Sequence, residues 1–314
     1  MLYLMRVGFL SFCVRVIQIF QPPRGAVGVS RFMSAALFLC LFLGSYGFYG
    51  QNEARAAQIE LYNYHNSPPF VTGPSSGLTH DLVAYLNRQG QGRFIFNLTH
   101  LPRKRLDRLL STNQEAVVLW VAPDWFDENL DNRFDWTRPI MIDGNVFLSS
   151  TKNPIEVETI YSLKHLLLGG ILGYRYDDLD RQVRNGFLRR TNAMDERALI
   201  RLVAHGRIDV GIMAQSTARY LVRENGVENL VYFGAKNHSI YARRLLLSGH
   251  PPRVQRFLDK VIGQMGQDPE WIAVMGRYNL QPSFFCLPVQ GCQNVNVEDK
   301  LLLETEISIQ EAKS

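Results

Sequence analysis

Six residues that could contact a small solute follow predicted strands in the sequence. They are Tyr64, Phe70, Trp120, Tyr174, Arg175 and Gln215. In α/β sheets, the loops at the carboxyl ends of the strands face the crevice in which ligands bind. Aromatic rings with a few polar groups suit a flat or partly apolar solute, and an arginine near a helix N-terminus can help to bind an anion. These residue types therefore indicate binding of a small polar or partly aromatic molecule.

Three of these residues also have a structural interpretation that the sequence leaves open. Tyr64 and Phe70 are about as compatible with packing inside a domain as with ligand contact. Trp120 closes an apolar run, Ala116 to Trp120, and such a position is typical of a core residue.

The sequence favours a binding protein over an enzyme. After residue 56 it has no His-Glu-x-x-His motif, no Gly-x-x-x-x-Gly-Lys phosphate loop and no Gly-x-Gly-x-x-Gly nucleotide fingerprint. The paired carboxylates Asp177-Asp178 and Asp127-Glu128 fall in polar segments where solvation or helix capping explains them. Neither a metal nor another cofactor is expected.

Residues 1–56 have the features of an export signal. An apolar run, Ser34 to Leu43, follows Arg31 and precedes the small-x-small cleavage pattern Ala54-Arg55-Ala56. The run is shorter than the roughly 20 residues that span a bilayer, although an uncleaved anchor remains an alternative. We therefore expect a periplasmic protein.

The charge of the chain argues against a nucleic-acid partner. The whole chain has 34 basic and 29 acidic residues, but residues 1–56 hold five arginines and one glutamate. The remainder has 29 basic and 28 acidic residues and is close to neutral. A nucleic-acid-binding protein is expected to concentrate positive charge on one face.

The order of predicted elements indicates two α/β units in succession. Short apolar strands alternate with helices from Ile59 to Trp120, and the same alternation restarts at Leu168. Val254 to Met265 repeats apolar residues at helical spacing. From residue 281 the chain reads as a polar tail in which Cys286 and Cys292 form either a small disulfide loop or two unrelated thiols.

Several motifs resemble the periplasmic solute-binding proteins of the amino-acid type that serve ABC importers. These motifs are Tyr64-His65-Asn66-Ser67-Pro68-Pro69-Phe70, Gly77-Leu78-Thr79-His80-Asp81-Leu82, Phe134-Asp135-Trp136-Thr137-Arg138-Pro139, Gly206-Arg207-Ile208-Asp209-Val210 and the stretch Trp271 to Leu280. The resemblance covers roughly residues 59–280. It implies a two-lobed type II periplasmic-binding-protein fold, with two parallel-rich sheets joined by a two-strand hinge and a ligand between the lobes.

The resemblance also implies domain boundaries and partners. Residues 57–148 and 246–280 would form lobe 1, residues 149–245 the hinge and lobe 2, and residues 281–314 a C-terminal tail. A monomer would bind a small molecule and deliver it to an ABC permease. A membrane receptor as partner, or a dehydratase-like enzyme on the same fold, is the alternative function.

The residues that hold an α-amino acid in this family are absent here. The segment from Pro123 to Leu130 lacks the expected Thr-x-x-Arg motif for the ligand carboxylate. Five residues after Asp209 stands Ala214, followed by Gln215, where the family has an aspartate for the α-amino group. The sequence therefore predicts the cleft but not an ordinary amino acid as its ligand.

Overall fold

The computed structural model describes residues 56–126 and 133–280. The predicted signal apart from Ala56, the Asp127-Glu128 pair and the cysteines at positions 286 and 292 lie outside the described residues. Within the described ranges, no helix is long and apolar enough to cross a membrane.

The first part of the chain forms a parallel sheet flanked by helices. Its elements are β1 (Ala57–Asn63), α1 (Leu78–Gly90), β2 (Phe94–His100), α2 (Arg103–Ser111) and β3 (Ala116–Val121). Strand β1 pairs in parallel with both β2 and β3. Alternate residues of β1 are buried, whereas every residue of β3 is buried, so β3 lies in the interior of the sheet.

The second α/β unit repeats this arrangement. Its elements are β6 (Leu167–Ile171), α3 (Asp177–Arg184), β7 (Arg189–Ala193), α4 (Glu196–Ala204), β8 (Val210–Ala214) and α5 (Gln215–Glu224). Strand β6 pairs in parallel with β7 and β8. Each crossover between parallel strands contains a helix, as βαβ connections require.

Two long antiparallel strands connect the units. Strand β5 (Met141–Ser150) pairs with β9 (Val231–Ser248) from Met141 opposite Arg243 to Ser150 opposite Val231. Strand β9 continues beyond this pairing, since its last residues pair with β3. The path of the sheet is β2-β1-β3-β9-β5-β8-β6-β7, with the short strand β4 (Asp135–Trp136) pairing with β9.

Each unit has its own hydrophobic core. Helices α6 (Pro252–Met265) and α7 (Pro269–Arg277) pack against the β1–β3 side, where Trp271 is fully buried. A second core lies around α4 and α5 and includes Leu199 and Leu221. We call the first unit with α6 and α7 lobe 1, the second unit lobe 2, and β5 with β9 the crossing strands.

The predicted domain boundaries fall within the crossing strands. The boundary at 148/149 lies in β5 and the one at 245/246 lies in β9. Because the two strands pair with each other from Met141 opposite Arg243 to Ser150 opposite Val231, they provide the two-strand connection expected between lobes. The exact boundaries stay a prediction.

Candidate functional site

A buried cation, Arg243, stands on crossing strand β9 between the lobes. Its side chain is 4% exposed. The Nε atom donates a hydrogen bond to Asp143 Oδ2 at 2.9 Å, and Nη1 donates to the backbone carbonyl of Trp120 at 2.8 Å. A longer contact of 3.4 Å joins Nη2 to the Tyr241 hydroxyl. Three neighbouring segments therefore hold the guanidinium.

The carboxylate of Asp143 connects Arg243 to lobe 2. Asp143 lies on crossing strand β5 and its side chain is fully buried. Its Oδ2 accepts a hydrogen bond from Ser216 Oγ at 2.7 Å, and its Oδ1 accepts from the Ser216 backbone N–H at 3.1 Å and from Gly144 N–H at 2.9 Å. Ser216 is in the first turn of α5, where a negative charge interacts favourably with the helix dipole. One carboxylate thus fastens a lobe 2 helix to a cation at the edge of lobe 1.

Aromatic rings lie close to the Arg243 guanidinium. The guanidinium carbon lies 4.6 Å from the centre of the Phe70 ring, 5.2 Å from Trp125 and 5.3 Å from Tyr241. Such distances are typical of cation–π contacts, which gain strength when the cation is desolvated. Burial opposes the positive charge, but Tyr241 and Asp143 raise the pKa of Arg243 above its ordinary value. The residue is therefore charged at all physiological pH values.

Tyrosines from lobe 2 come close to this cluster. Burial raises the pKa of Tyr241, with further contributions from Asp143, Tyr176 and Tyr174. Tyr174 also has a raised pKa, chiefly from burial and from Glu196, whose carboxylate accepts its hydroxyl hydrogen bond at 2.9 Å. Tyr174 is thus held by Glu196 in lobe 2, whereas Tyr241 on β9 lies against the Arg243 guanidinium.

His65 is a second polar group at this site. Its ring lies 4.2 Å from that of Tyr64 and 6.0 Å from that of Trp125. Burial, and then the positive charges of Arg243 and Arg103, keep its pKa well below the ordinary value of 6.5. No described residue forms a hydrogen bond with its buried Nε2 atom. His65 is therefore neutral at pH 7.

Two of the predicted contact residues lie in the core of lobe 1. Phe70 and Trp120 are 1% and 0% exposed, and their ring centres are 5.3 Å apart. The Trp120 indole N–H donates to Thr79 Oγ1 at 3.0 Å. Both residues thus support Arg243 from inside the lobe, Phe70 through its ring and Trp120 through its carbonyl. Their role as ligand contacts stays a prediction.

The other predicted residues lie nearer the surface. Tyr64 is half-buried, with Arg103 5.3 Å from its ring centre. Tyr174 and Arg175 are exposed in the loop between β6 and α3, and no hydrogen bond or ion pair joins Arg175 to another described residue. Gln215 begins α5, with its amide between Asn237 and Arg219. Among the described contacts, Tyr64 thus lies against Arg103 and Tyr174 bonds to Glu196, and the role of Tyr64, Tyr174, Arg175 and Gln215 as ligand contacts stays a prediction.

Sequence reasoning missed the centre of the cluster, Arg243 and Asp143. Both occur inside apolar stretches that predict extended strands, and they are 100 positions apart. A signal was nevertheless present, because a charged residue within a buried strand requires a partner. The structure adds a backbone feature at Trp120, whose φ is 63° where the pairing of β3 with β9 shifts register between Val118 and Val121. A left-handed conformation is uncommon for a bulky residue and is concentrated at functional sites.

One serine has the spacing of a nucleophile elbow but not its surroundings. Gly73-Pro74-Ser75-Ser76-Gly77 fits the pattern Gly-x-Ser-x-Gly, which in hydrolases follows a strand and lies near a histidine. Here the segment follows a turn, Ser75 is exposed, and no contact with a histidine occurs among the described residues. In the same ranges, no group of three His, Cys, Asp or Glu side chains is placed to hold a metal.

Comparisons with known proteins give a fold but no close relative. No family model and no curated protein matches the sequence. Among solved structures, an ancestral arginine-binding protein bound to arginine is 13% identical, with a TM-score of 0.54 over 71% of this chain and 99% of that chain. The periplasmic domain of BvgS from B. pertussis is 19% identical, with a TM-score of 0.56 over 72% of this chain and 43% of that one.

A third similar structure is the ancestral amino-acid-binding protein AncCDT-1, a precursor of cyclohexadienyl dehydratase. It is 13% identical, with a TM-score of 0.52 over 72% of this chain and 96% of that chain. Together these likenesses decide the architecture.

The chain has the type II periplasmic-binding-protein fold. The predicted two-lobed α/β class is confirmed, with parallel strands in each lobe and two antiparallel strands between them. Arg243, Asp143 and the rings of Phe70, Trp125 and Tyr241 form what we call the Arg243 cluster, which lies where the lobes meet the crossing strands. Low identity limits the comparison to the fold, so the residues themselves must indicate the function.

Proposed function

We propose that this chain is a periplasmic binding protein that takes up a small anionic, partly aromatic solute between its lobes. The observation that carries the proposal is the convergence on Arg243 of groups from lobe 1, from both crossing strands and, through Asp143 and Ser216, from lobe 2. A ligand at this point contacts both lobes at once. Only such contacts can make the closed form bind better than the open one.

The hydrogen bonds of Arg243 support an anionic ligand group. A guanidinium has five N–H donors, and the described bonds of Arg243 use one each on Nε, Nη1 and Nη2. The second N–H of each Nη nitrogen has no acceptor among the described residues. A carboxylate of the solute can accept both in the bidentate geometry that arginine favours.

The rings around the cation support a flat ligand body. Trp125 and Tyr64 are only partly buried on the lobe 1 side, and Tyr174 is 47% exposed on the lobe 2 side. We propose that these rings, with Gln215, contact the solute, and that Phe70 and Trp120 position Arg243 beneath it. Arg175, at the edge of lobe 2, would add attraction for an anion.

A thermal-shift screen tests the proposal. Purified protein is screened against aromatic carboxylates, amino acids, polyamines and oligopeptides, and a ligand should raise the melting temperature with concentration, by about 2.7 kcal/mol of stabilisation at one hundred times Kd. Arg243→Lys should abolish the rise for a carboxylate. Arg244→Lys is the matched control, because Arg244 bonds the Thr137 carbonyl instead.

Two results would overturn this proposal. One is an unchanged ligand response in Arg243→Lys, which would move the site elsewhere. The other is consumption of the stabilising compound by purified protein, which would favour a dehydratase-like enzyme instead. Arg175→Ala tests the proposed attraction by Arg175 separately. A lower affinity of this variant for the solute would show that Arg175 contributes to binding from the edge of the cleft.

A second candidate is a sensor whose closed form contacts a membrane receptor. It is favoured by the hydrogen bonds that Ser216 donates to Asp143, which join the crossing strands to lobe 2 without any solute, and by the likeness to the BvgS periplasmic domain. A transporter delivers its solute to an ABC permease, so solute uptake in cells should depend on this gene. Loss of a transcriptional response with unchanged uptake would favour the sensor.

A further inference from the structure

A separate cavity opens on lobe 2 beside crossing strand β9. Its volume is about 150 Å³, and none of the residues that contact Arg243 lines it. Apolar side chains form one wall, contributed by Phe147, Val157, Ile160, Leu163 and Leu179. An apolar protein cavity of this size accommodates a benzene ring.

Charged residues also line the cavity. They are Glu158, Asp178 and Lys236, which we call its rim. Lys236 Nζ donates a hydrogen bond at 3.0 Å to the backbone carbonyl of Glu158, so the ammonium has an acceptor within the protein. Two carboxylates against one ammonium give this rim an excess of negative charge, which favours a cationic ligand group.

His238 supplies an unsatisfied acceptor at the same rim. Its Nε2 lies 2.9 Å from Asp178 Oδ2, and its buried Nδ1 has no hydrogen-bond partner among the described residues. When Nε2 carries the proton that it donates to Asp178, Nδ1 is an acceptor. Leaving a buried acceptor without a donor is unfavourable, so an N–H donor from a ligand would stabilise this arrangement.

The backbone of β9 is irregular where it borders the cavity. The pairing of β5 with β9 shifts register between Val146, opposite Asn237, and Leu148, opposite Phe233. This bulge contains Lys236 and leaves it and His238 at the rim of the cavity. Strand bulges re-aim side chains and occur preferentially next to functional sites.

We propose that this cavity is a second binding site, distinct from the interlobe cleft, for a small aromatic amine. One aromatic ring fills the apolar part against Phe147 and Leu163. The ammonium lies at the rim, where it donates hydrogen bonds to Asp178 and to His238 Nδ1. The site does not depend on the solute proposed for Arg243, since the two share no contact residue.

The test compares three probes of one size in the full protein. Benzylamine, benzyl alcohol and benzoate are titrated while the amide resonances are followed by NMR. Benzylamine should give saturable shifts at Leu179 and His238, with an affinity about fivefold or more above that of benzyl alcohol, as expected for one charge-assisted hydrogen bond. Benzoate should not bind.

Variants at neighbouring aspartates provide a matched control. Asp178→Asn should remove the preference for benzylamine over benzyl alcohol, whereas Asp177→Asn, which changes the exposed residue beside it, should retain that preference. Leu163→Trp should exclude both benzylamine and benzyl alcohol by filling the cavity. If that variant does not fold, the comparison of Asp178→Asn with Asp177→Asn still tests the proposal.

The proposal is overturned if benzylamine shifts do not saturate, or if both aspartate variants lose the preference equally. Arg243→Lys separates this proposal from the function of the interlobe cleft. That variant should keep benzylamine binding unchanged while it removes the response to a carboxylated solute, so failure of one site leaves the other site testable.

Discussion

The two ends of the crossing strands differ in almost every physical respect. At the lobe 1 end, Met141 to Asn145 pair one-to-one with Arg243 to Ser239, and the charged residues Asp143 and Arg243 are buried. At the lobe 2 end the register shifts, a cavity opens, and the hydrogen-bonded pair Asp178–His238 is partly exposed. The lobe 1 end is thus built for a fixed geometry, whereas the lobe 2 end can accommodate change.

This contrast bears on how the lobes can open. Ligand can reach Arg243 only if the rings that cover it separate, because the side chain is 4% exposed. Separation must preserve the Asp143–Arg243 pair, since an unpaired buried charge is very costly. We therefore expect opening motion to be concentrated at the bulged lobe 2 end, where fewer regular strand contacts must break.

The largest expected effect is the loss of Asp143. Asp143→Ala leaves the Arg243 charge buried without its carboxylate and removes the acceptor of Ser216, so the free energy of unfolding should fall by about 3–5 kcal/mol. Chemical denaturation measures the change. The double variant Asp143→Leu with Arg243→Met should recover much of the loss, because an apolar pair carries no desolvation cost. A double variant as unstable as Asp143→Ala would contradict this account.

The second prediction compares a glycine from each end. A Cβ atom on Gly144 would lie 2.3 Å from the Ser239 carbonyl oxygen, whereas one on Gly234 would lie 3.4 Å from its nearest atom, Phe147 O. Gly144→Ala must therefore push the crossing strands apart and should cost about 1–3 kcal/mol, as overpacking usually does. Gly234→Ala should cost less than about 1 kcal/mol. Thermal unfolding measures both variants, and equal losses of stability would contradict the proposed difference in rigidity between the two ends.

The third prediction concerns pH and the lobe 1 end. His65 has its pKa held well below 6.5 by burial and by Arg243 and Arg103. Below pH 6.5 the unfolded chain therefore binds a proton at this residue that the folded chain does not bind. Stability should fall as the pH decreases, by up to about 1.4 kcal/mol per pH unit from this group.

His65→Gln isolates that contribution. The variant should show a smaller decrease in the free energy of unfolding between pH 6.5 and pH 5 than the parent protein. Some slope should remain, because burial also lowers the pKa values of His100 and His250. An unchanged slope would mean that His65 is protonated in the fold.

The same contrast explains what the sequence predicts well. Regular segments with strong periodicity were foreseeable: the alternation of strands and helices expected from Ile59 to Trp120 is β1 to β3, and the helix expected from Val254 to Met265 is α6. Their burial follows from local spacing alone. The positions of Tyr64 and Tyr174 after strands were predicted for the same reason, because this prediction depends only on the order of strands and helices along the chain.

The centre of the site could not be obtained in this way. Asp143 and Arg243 meet through the pairing of two strands distant in sequence, and nothing local to either position specifies that register. The burial of Phe70 and Trp120 depends on tertiary packing in the same manner. Long-range pairing, and not residue type, decides which aromatic residues face the cleft and which face the core.

The smallest expected effect lies at the lobe 2 end. His238→Gln removes the imidazole hydrogen bond to the Asp178 carboxylate, whose side chain is 50% exposed, so solvent and salt screen the interaction. The free energy of unfolding should change by less than about 1 kcal/mol, and less still at high ionic strength. The measurement is chemical denaturation at low and high salt, alongside Asp143→Ala. A loss comparable with that of Asp143→Ala would show that both ends hold the lobes equally, and the opening motion would then have to be sought outside the crossing strands.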